Sequence, residues 1–169
     1  QKDYNNLHSF FWLFSLDLKS SKKNTQNIIL NWIETNKRYN YKSWEIDIIS
    51  KRIIAWISNS KLTFEESDSN YKKKFNNIIQ KQINHLINEI ERSEWVDDKM
   101  IGCAAIILAG LSYQNKSGYL NFGLNLLKKI IKFSFDNYRF PKSRNIRQLN
   151  LYLKYFVLIR EWLKESQND

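Results

Sequence analysis

The clearest structural signal in this sequence is the segment SNYKKKFNNIIQKQINHLINEIER, residues 69–92. Its inward positions recur every three or four residues, at Tyr71, Phe75, Ile78, Ile79, Gln82, Leu86 and Ile90. That spacing is typical of an amphipathic helix that buries one face. The segment therefore predicts a long helix and indicates a helical fold.

The same spacing extends through almost the whole chain and predicts six further helices. They cover about residues 7–18, 23–37, 43–57, 97–111, 116–135 and 145–165, with Ser43 and Asp97 as candidate N-caps. No strand is needed, and the short connections favour antiparallel neighbours. We predict an all-α fold for residues 1–169: one helical domain of stacked antiparallel hairpins, as in a solenoid or a partial α/α toroid.

The fifth predicted helix is unusually rich in small residues. It contains Gly102, Cys103, Ala104, Ala105, Ala109 and Gly110. Small side chains let neighbouring helices approach closely, so we expect this helix at the centre of the packing. Its apolar run is too short to span a bilayer, and we expect no membrane span.

The chain is strongly basic, with 27 Lys and Arg against 17 Asp and Glu and a net charge of +10. A basic protein attracts polyanions, which include nucleic acid, anionic polysaccharide and anionic lipid. Composition offers a simpler explanation, because 20 of the 27 cations are Lys in a sequence heavy in Asn and Ile. Charge alone therefore does not identify a partner.

Familiar catalytic and cofactor-binding patterns are missing from the sequence. Its two histidines, His8 and His85, do not form a helical metal pair, and Cys103 lies in an apolar helix typical of an inert core thiol. His8 fits either a core hydrogen bond or a place lining a cleft. No glycine-rich phosphate loop occurs. We therefore expect no metal and no cofactor.

One basic cluster differs from the scattered lysines. Arg139, Lys142, Arg144 and Arg147 surround Pro141, the only proline. The guanidinium group of arginine matches the geometry of a carboxylate or sulfate, so this segment is a candidate anion site. Trp44 and Trp95 lie near predicted helix starts, where an indole face could stack on a sugar ring.

Three groups of residues, taken together, resemble one protein family. They are LHSFFWL at 7–13 with Leu16; Trp32, Trp44, Arg52 and Trp56; and FPKSRN at 140–145 with Leu149 and Leu158–Arg160. Their order and spacing are similar to the N-terminal helical region of heparinase II/III-like proteins, which are related to alginate lyases. The resemblance covers nearly the whole chain.

This resemblance implies an incomplete α/α toroid followed by a β-sandwich domain, so that residues 1–169 would be an N-terminal piece of a larger protein. Enzymes of the family cleave uronate-containing polysaccharides by β-elimination. A side chain neutralises the uronate carboxylate, a Tyr or His removes the C5 proton, and a Tyr commonly protonates the leaving oxygen. The resemblance assigns no such Tyr or His here, so we expect no lyase activity from these residues alone.

The resemblance also implies roles for individual residues. Asn145 would neutralise the carboxylate, and Ser143 and Arg144 would shape the loop or bind substrate together with Arg139, Lys142 and Arg147. His8 would lie near the cleft. Many relatives carry an Asp-Gly-Gly-His-like turn before Ser-Arg-Asn, whereas here Asp136 to Lys142 contain neither Gly nor His.

The expected partner is an acidic polysaccharide. A non-catalytic scaffold that binds protein is the alternative, and nucleic-acid binding is disfavoured because no recognition motif appears. The resemblance implies a periplasmic location, although no signal segment is visible in these residues. The sequence leaves the polysaccharide and the oligomeric state open.

Overall fold

The computed structural model describes residues 2–17, 21–113 and 117–166, and over these residues the chain is all-α, as predicted. It contains eight α-helices: α1 Lys2–Ser9, α2 Lys22–Asn36, α3 Ile46–Ser58, α4 Ser60–Thr63, α5 Ser69–Glu89, α6 Val96–Ser112, α7 Ser117–Ser134 and α8 Ile146–Glu165. Two 3₁₀ turns, Phe11–Ser15 and Ile90–Arg92, complete the helical structure of the described residues. None of these helices is both long and apolar enough to cross a membrane.

The first predicted helix, residues 7–18, is wrong in its bounds. α1 ends at Ser9, Phe10 adopts a left-handed φ of 55°, and a 3₁₀ turn follows. Phe10 is almost completely buried, and its ring meets Trp32 and Trp56 edge-on at 5.9 and 5.1 Å between centroids. Burying this ring accounts for the reversal of the backbone, which costs about 1 kcal/mol at a non-glycine residue. Residues 18–20 lie outside the described residues.

The prediction of Ser43 as the N-cap of the third helix is also wrong. α3 begins at Ile46 after Glu45, and Ser43 is fully buried. Its carbonyl oxygen accepts hydrogen bonds from both Nη atoms of Arg52. The backbone of Ser43 is thus held by a tertiary contact and does not start the helix. For the fifth helix the N-cap residue is Trp95, two positions before the predicted Asp97.

The chain forms two compact units, Gln1–Asn88 and Glu89–Asp169, which we call the N-terminal and C-terminal units. An aromatic cluster forms the core of the N-terminal unit. Trp56 contacts Phe10, Trp32 and Phe75, with ring centroids 5.1 to 5.5 Å apart. Aromatic pairs at such distances add about 0.5–1.5 kcal/mol each beyond the area they bury.

A cation lies inside this aromatic core. Arg52 is fully buried, and its guanidinium carbon lies 4.1 Å from the centre of the Trp32 ring. The guanidinium donates to Gln82 Oε1 and to the carbonyl oxygens of His8 and Ser43. Arg52 therefore connects α3 to α5, to the end of α1 and to the segment before α3.

The C-terminal unit is built around α6, as its small residues predict. Residues 100–110 of this helix are all buried, and α7 and α8 both pack against it. Close approach is visible at Gly110, where a Cβ added to the backbone would lie 2.5 Å from the backbone nitrogen of Leu120 in α7. The absence of a side chain at Gly110 allows this contact.

Candidate functional site

The loop between α7 and α8, residues 135–145, contains most of the predicted site residues. Arg139, Lys142, Ser143, Arg144 and Asn145 all lie in it, and Arg147 follows in the first turn of α8. Phe135 and Pro141 pair as an isolated antiparallel bridge, and the backbone N–H of Lys142 donates to the carbonyl of Ser134 at 2.8 Å. The loop is therefore a closed turn in which Pro141 is buried, Phe135 and Asp136 are half-buried, and the other side chains are exposed.

Asp136 organises this loop, a role that was not predicted from the sequence. Its Oδ1 accepts the backbone N–H groups of Tyr138 and Phe140 at 2.9 and 3.0 Å. Its backbone N–H donates to Phe140 O, and its carbonyl accepts from Arg139 N. Aspartate at the first position of a turn commonly caps the turn this way, so the residue type was a usable signal.

Arg144 is bound to the same carboxylate. Its Nη2 lies 2.6 Å from Asp136 Oδ2, and its guanidinium carbon lies 5.8 Å from the centre of the Phe140 ring. The pKa of Asp136 is lowered, chiefly because the Phe140 N–H binds the carboxylate, with the Tyr138 N–H and the Arg144 charge adding to the effect. Arg144 thus shapes the loop through Asp136.

The backbone of the loop is strained at two arginines. Arg139 and Arg144 have left-handed φ values of 64° and 54°, which cost about 1–3 kcal/mol each for residues with a side chain. Arg139, Lys142 and Arg147 are exposed, and among the described residues none of the three has a carboxylate partner. The strain and the unpaired cations occur in the same short segment.

Asn145 is the N-cap of α8. Its Oδ1 accepts the backbone N–H of Arg147 at 2.9 Å, and its own N–H donates to Ser143 Oγ. Within the described residues the amide Nδ2 of Asn145 has no hydrogen-bond partner, and the residue is exposed. Capping uses the oxygen of this side chain and leaves its two N–H donors for a ligand.

Ser143 anchors the loop to α6. Its hydroxyl donates to Gln148 Oε1, and Gln148 Nε2 donates to Asp97 Oδ1 at 2.8 Å. Asp97 lies in the first turn of α6. This chain of hydrogen bonds holds the beginning of α8 beside the beginning of α6.

Lys142 borders a cavity of about 850 Å³ in the C-terminal unit, which we call the lysine-rimmed cavity. Its walls come from the end of α7, the beginning of α6, the segment before α6 and the loop. The lining residues are Glu91, Ser93, Glu94, Val96, Lys99, Leu126, Lys129, Ile130, Lys132, Phe133, Ser134 and Lys142. Of the predicted site residues, Lys142 alone contributes to this wall.

His8 belongs to the N-terminal unit and makes a core hydrogen bond, one of its two predicted roles. Its Nδ1 accepts from Trp32 Nε1 at 3.0 Å, and its ring stacks on Tyr4 at 4.0 Å. Burial and, to a smaller extent, the charge of Arg52 lower the pKa of His8. The imidazole is therefore neutral at pH 7 and acts here as an acceptor.

The other residues considered from the sequence, Cys103, Trp44 and Trp95, differ in how far they are buried. Cys103 is buried, and burial raises the pKa of its thiol to about 12, as expected for an inert core thiol. Trp44 is 3% exposed and contacts Tyr39 and His85, so its faces are not offered to a sugar. Trp95, in contrast, is 73% exposed.

Comparison with known proteins gives no match: no family model, no curated protein and no solved structure matches this chain.

Protonating Asp136 is expected to loosen the loop. The pKa of Asp136 is lower in the folded protein than in the unfolded chain. The ionised carboxylate therefore stabilises the loop fully above its usual pKa of about 4. This stabilisation is lost as the pH falls through the lowered pKa of the folded protein. We expect Asp136→Asn to reduce the hydrogen-exchange protection of the Tyr138 and Phe140 amides roughly fivefold at neutral pH. Glu94→Gln is the control, and equal protection in both variants would contradict the role of Asp136.

Proposed function

We propose that this chain is the helical substrate-binding region of a heparinase II/III-like polysaccharide lyase, with its helices forming part of an α/α toroid. The substrate is a uronate-containing acidic polysaccharide that is cleaved by β-elimination. The observation that carries the proposal is the free amide of Asn145 at the exposed start of α8, within the segment that resembles the family. The all-α architecture is consistent with it.

The start of α8 suits a carboxylate for three physical reasons. A 20-residue helix carries a partial positive charge at its N-terminus, which favours anions. The Nδ2 of Asn145 adds donors at the same end, held in position because its Oδ1 caps the helix. Arg147, Arg139 and Lys142 supply unpaired cations nearby in sequence.

Neutralising the uronate carboxylate is the step that these residues would perform. Hydrogen bonds and cations that stabilise charge on the carboxylate make the adjacent C5 proton easier to remove. The proposal assigns to this chain the binding and neutralisation of the carboxylate. It assigns the proton transfers to none of the described residues.

Replacing Asn145 with serine tests this proposal with the helix cap kept. Serine is as good an N-cap as asparagine, but it replaces the two N–H donors of the amide with a single hydroxyl donor on a shorter side chain. We expect Asn145→Ser to weaken binding of a polyuronate hexasaccharide about tenfold, measured by calorimetry, with an unchanged melting temperature. Asn150→Ser, one turn further along the exposed side of α8, is the control.

An Asn145→Ser protein that binds the hexasaccharide as tightly as the wild type would refute the assignment of Asn145. Binding to duplex DNA in place of polyuronate, with a steep dependence on salt, would instead favour the nucleic-acid alternative.

A second candidate function, a protein-binding scaffold, is favoured by one surface of α8. Ile146, Leu153 and Val157 are 71%, 51% and 56% exposed and lie at positions i, i+7 and i+11. Residues at that spacing share one face of a helix. An exposed apolar face of this kind is a common feature of protein interaction sites.

A further inference from the structure

The lysine-rimmed cavity has the size of a small-molecule site. Its volume of about 850 Å³ lies within the range of roughly 300–1,000 Å³ that is usual for ligand pockets. All of its lining residues belong to the C-terminal unit. The carboxylate site at Asn145 shares only Lys142 with it, so the cavity calls for its own explanation.

The floor of the cavity is apolar. Leu126 and Ile130 lie four residues apart on α7, are each 4% exposed, and line the cavity with Val96. Phe133 continues this surface toward solvent and is 76% exposed. Hydrocarbon or aromatic groups gain about 25 cal/mol for each Å² that such a floor removes from water.

The rim of the cavity is cationic. Lys99, Lys129, Lys132 and Lys142 line it against two carboxylates, Glu91 and Glu94. Lys129 pairs with Glu91 at 2.7 Å, and the ammonium group of Lys99 donates to the carbonyl oxygen of Glu91. These contacts leave an excess of positive charge on the rim.

Two of the lysines, unlike Lys129 and Lys99, are held by no oxygen atom among the described residues. Among the described residues, neither Lys132 nor Lys142 has a carboxylate partner. Lys142 Nζ lies 5.7 Å from the centre of the Phe133 ring, so a cation stands directly beside the apolar surface at the mouth. An anionic group bound there would find a positive charge within reach of its apolar body.

We propose that this cavity binds an amphiphilic organic anion, that is, a single carboxylate or sulfonate attached to an apolar chain or ring. The apolar body lies on Leu126, Ile130 and Phe133, and the anionic head lies at Lys132 and Lys142. A polyuronate fits the floor poorly, because hydroxyl groups placed against Leu126 and Ile130 would find no hydrogen-bond partner there.

Decanoate is the probe for this site. We expect saturable binding of one decanoate per chain, with a dissociation constant on the order of 10–100 µM, since about nine buried methylenes must offset the cost of association. Isothermal titration calorimetry measures the affinity, and methyl NMR shifts of Leu126 and Ile130 locate the ligand. We expect 1-decanol, which lacks the charge, to bind about tenfold more weakly.

A charge-matched pair of variants tests the rim. Lys132→Gln with Lys142→Gln is expected to weaken decanoate binding about tenfold, because the head loses both unpaired cations. Lys154→Gln with Lys164→Gln removes the same charge from exposed positions of α8 outside the cavity and is expected to bind as the wild type does. All four side chains are exposed, so we expect these substitutions to leave folding intact.

Several results would each overturn the proposal. They are the absence of saturable decanoate binding below 1 mM, equal affinity for 1-decanol, equal affinity in the two double variants, and NMR shifts confined to residues outside the cavity. Displacement of decanoate by a polyuronate hexasaccharide would also overturn it, because the cavity would then be part of the glycan site. Unchanged glycan binding in Asn145→Ser would refute the assignment of Asn145 in the proposed function and leave the cavity proposal standing, because Asn145 does not line the cavity.

Discussion

Replacing Arg52 with methionine is expected to lower the free energy of unfolding of the N-terminal unit by about 3 kcal/mol. The change leaves two buried acceptors, Gln82 Oε1 and Ser43 O, and the part-buried His8 O without their donor. Each unsatisfied buried polar group costs roughly 1–3 kcal/mol, and the apolar gain of methionine offsets part of this. The contact with the Trp32 face is also lost.

The charge of Arg52 is retained at neutral pH despite its burial. Burial lowers the pKa of this guanidinium to about 9, which is still about two units above pH 7. Because the pKa of Arg52 is lower in the folded state than in the unfolded state, folding disfavours the charged form, and the hydrogen bonds and the Trp32 ring offset only part of that cost. We therefore expect the effect of Arg52→Met to be the same between pH 5 and about pH 8.

Two further variants test whether the loss of stability in Arg52→Met comes from the lost hydrogen bonds or from the lost charge. Arg52→Lys keeps the charge but cannot span three acceptors in different directions, so we expect most of the loss to remain. Arg38→Met removes the same charge from an exposed position of this unit and should change stability by less than about 0.5 kcal/mol. Urea unfolding followed by circular dichroism measures all three. An Arg52→Met protein as stable as Arg38→Met would contradict the role of the buried cation.

Periodic apolar spacing was sufficient to predict most helices, because it reports directly on which face is buried. α2, α5, α6, α7 and α8 begin and end within a few residues of their predicted bounds. The spacing failed over residues 7–18, where eight of the 12 side chains are apolar and they do not form a single stripe. There the left-handed turn at Phe10 follows from contacts with Trp32 and Trp56, which are distant in sequence.

The same limit applies to Arg52 and to the hydrogen bond between Gln148 and Asp97. The residues around Arg52 predicted a buried helix face. A hydrophobic pattern does not show that a cation lies within that face, or which carbonyl oxygens accept its hydrogen bonds. At the loop, the sequence pointed to the segment from Arg139 to Arg147, which the structure places in the connection between α7 and α8 and in the first turn of α8. An aspartate at the start of a turn was a usable local signal for the role of Asp136, whereas the hydrogen bond from Gln148 to Asp97 depends on packing that local sequence does not encode.

Replacing Gly110 with alanine is the other change expected to have a large effect. A Cβ at this position would lie 2.5, 2.7 and 2.9 Å from the N, Cα and Cβ atoms of Leu120. Two of those atoms are backbone, so α6 and α7 must move apart to accommodate the methyl group. We expect Gly110→Ala to lower the free energy of unfolding of the C-terminal unit by about 3 kcal/mol, at the upper end for overpacking.

The two glycines of α7 make this prediction specific. A Cβ at Gly118 would have no heavy atom within 4 Å, so Gly118→Ala should be neutral or stabilise the unit by about 0.5 kcal/mol, since alanine favours the helix. At Gly123 the closest atom to an added Cβ is Ile107 Cγ1 at 2.6 Å, a side-chain atom that can shift, and we expect an intermediate loss. Thermal unfolding of the three variants should therefore rank Gly118→Ala above Gly123→Ala and Gly110→Ala last. If Gly110→Ala and Gly118→Ala had the same melting temperature, the close approach of α6 to α7 at Leu120 would be wrong. An added methyl group that overlaps backbone atoms cannot be accommodated by moving side chains alone.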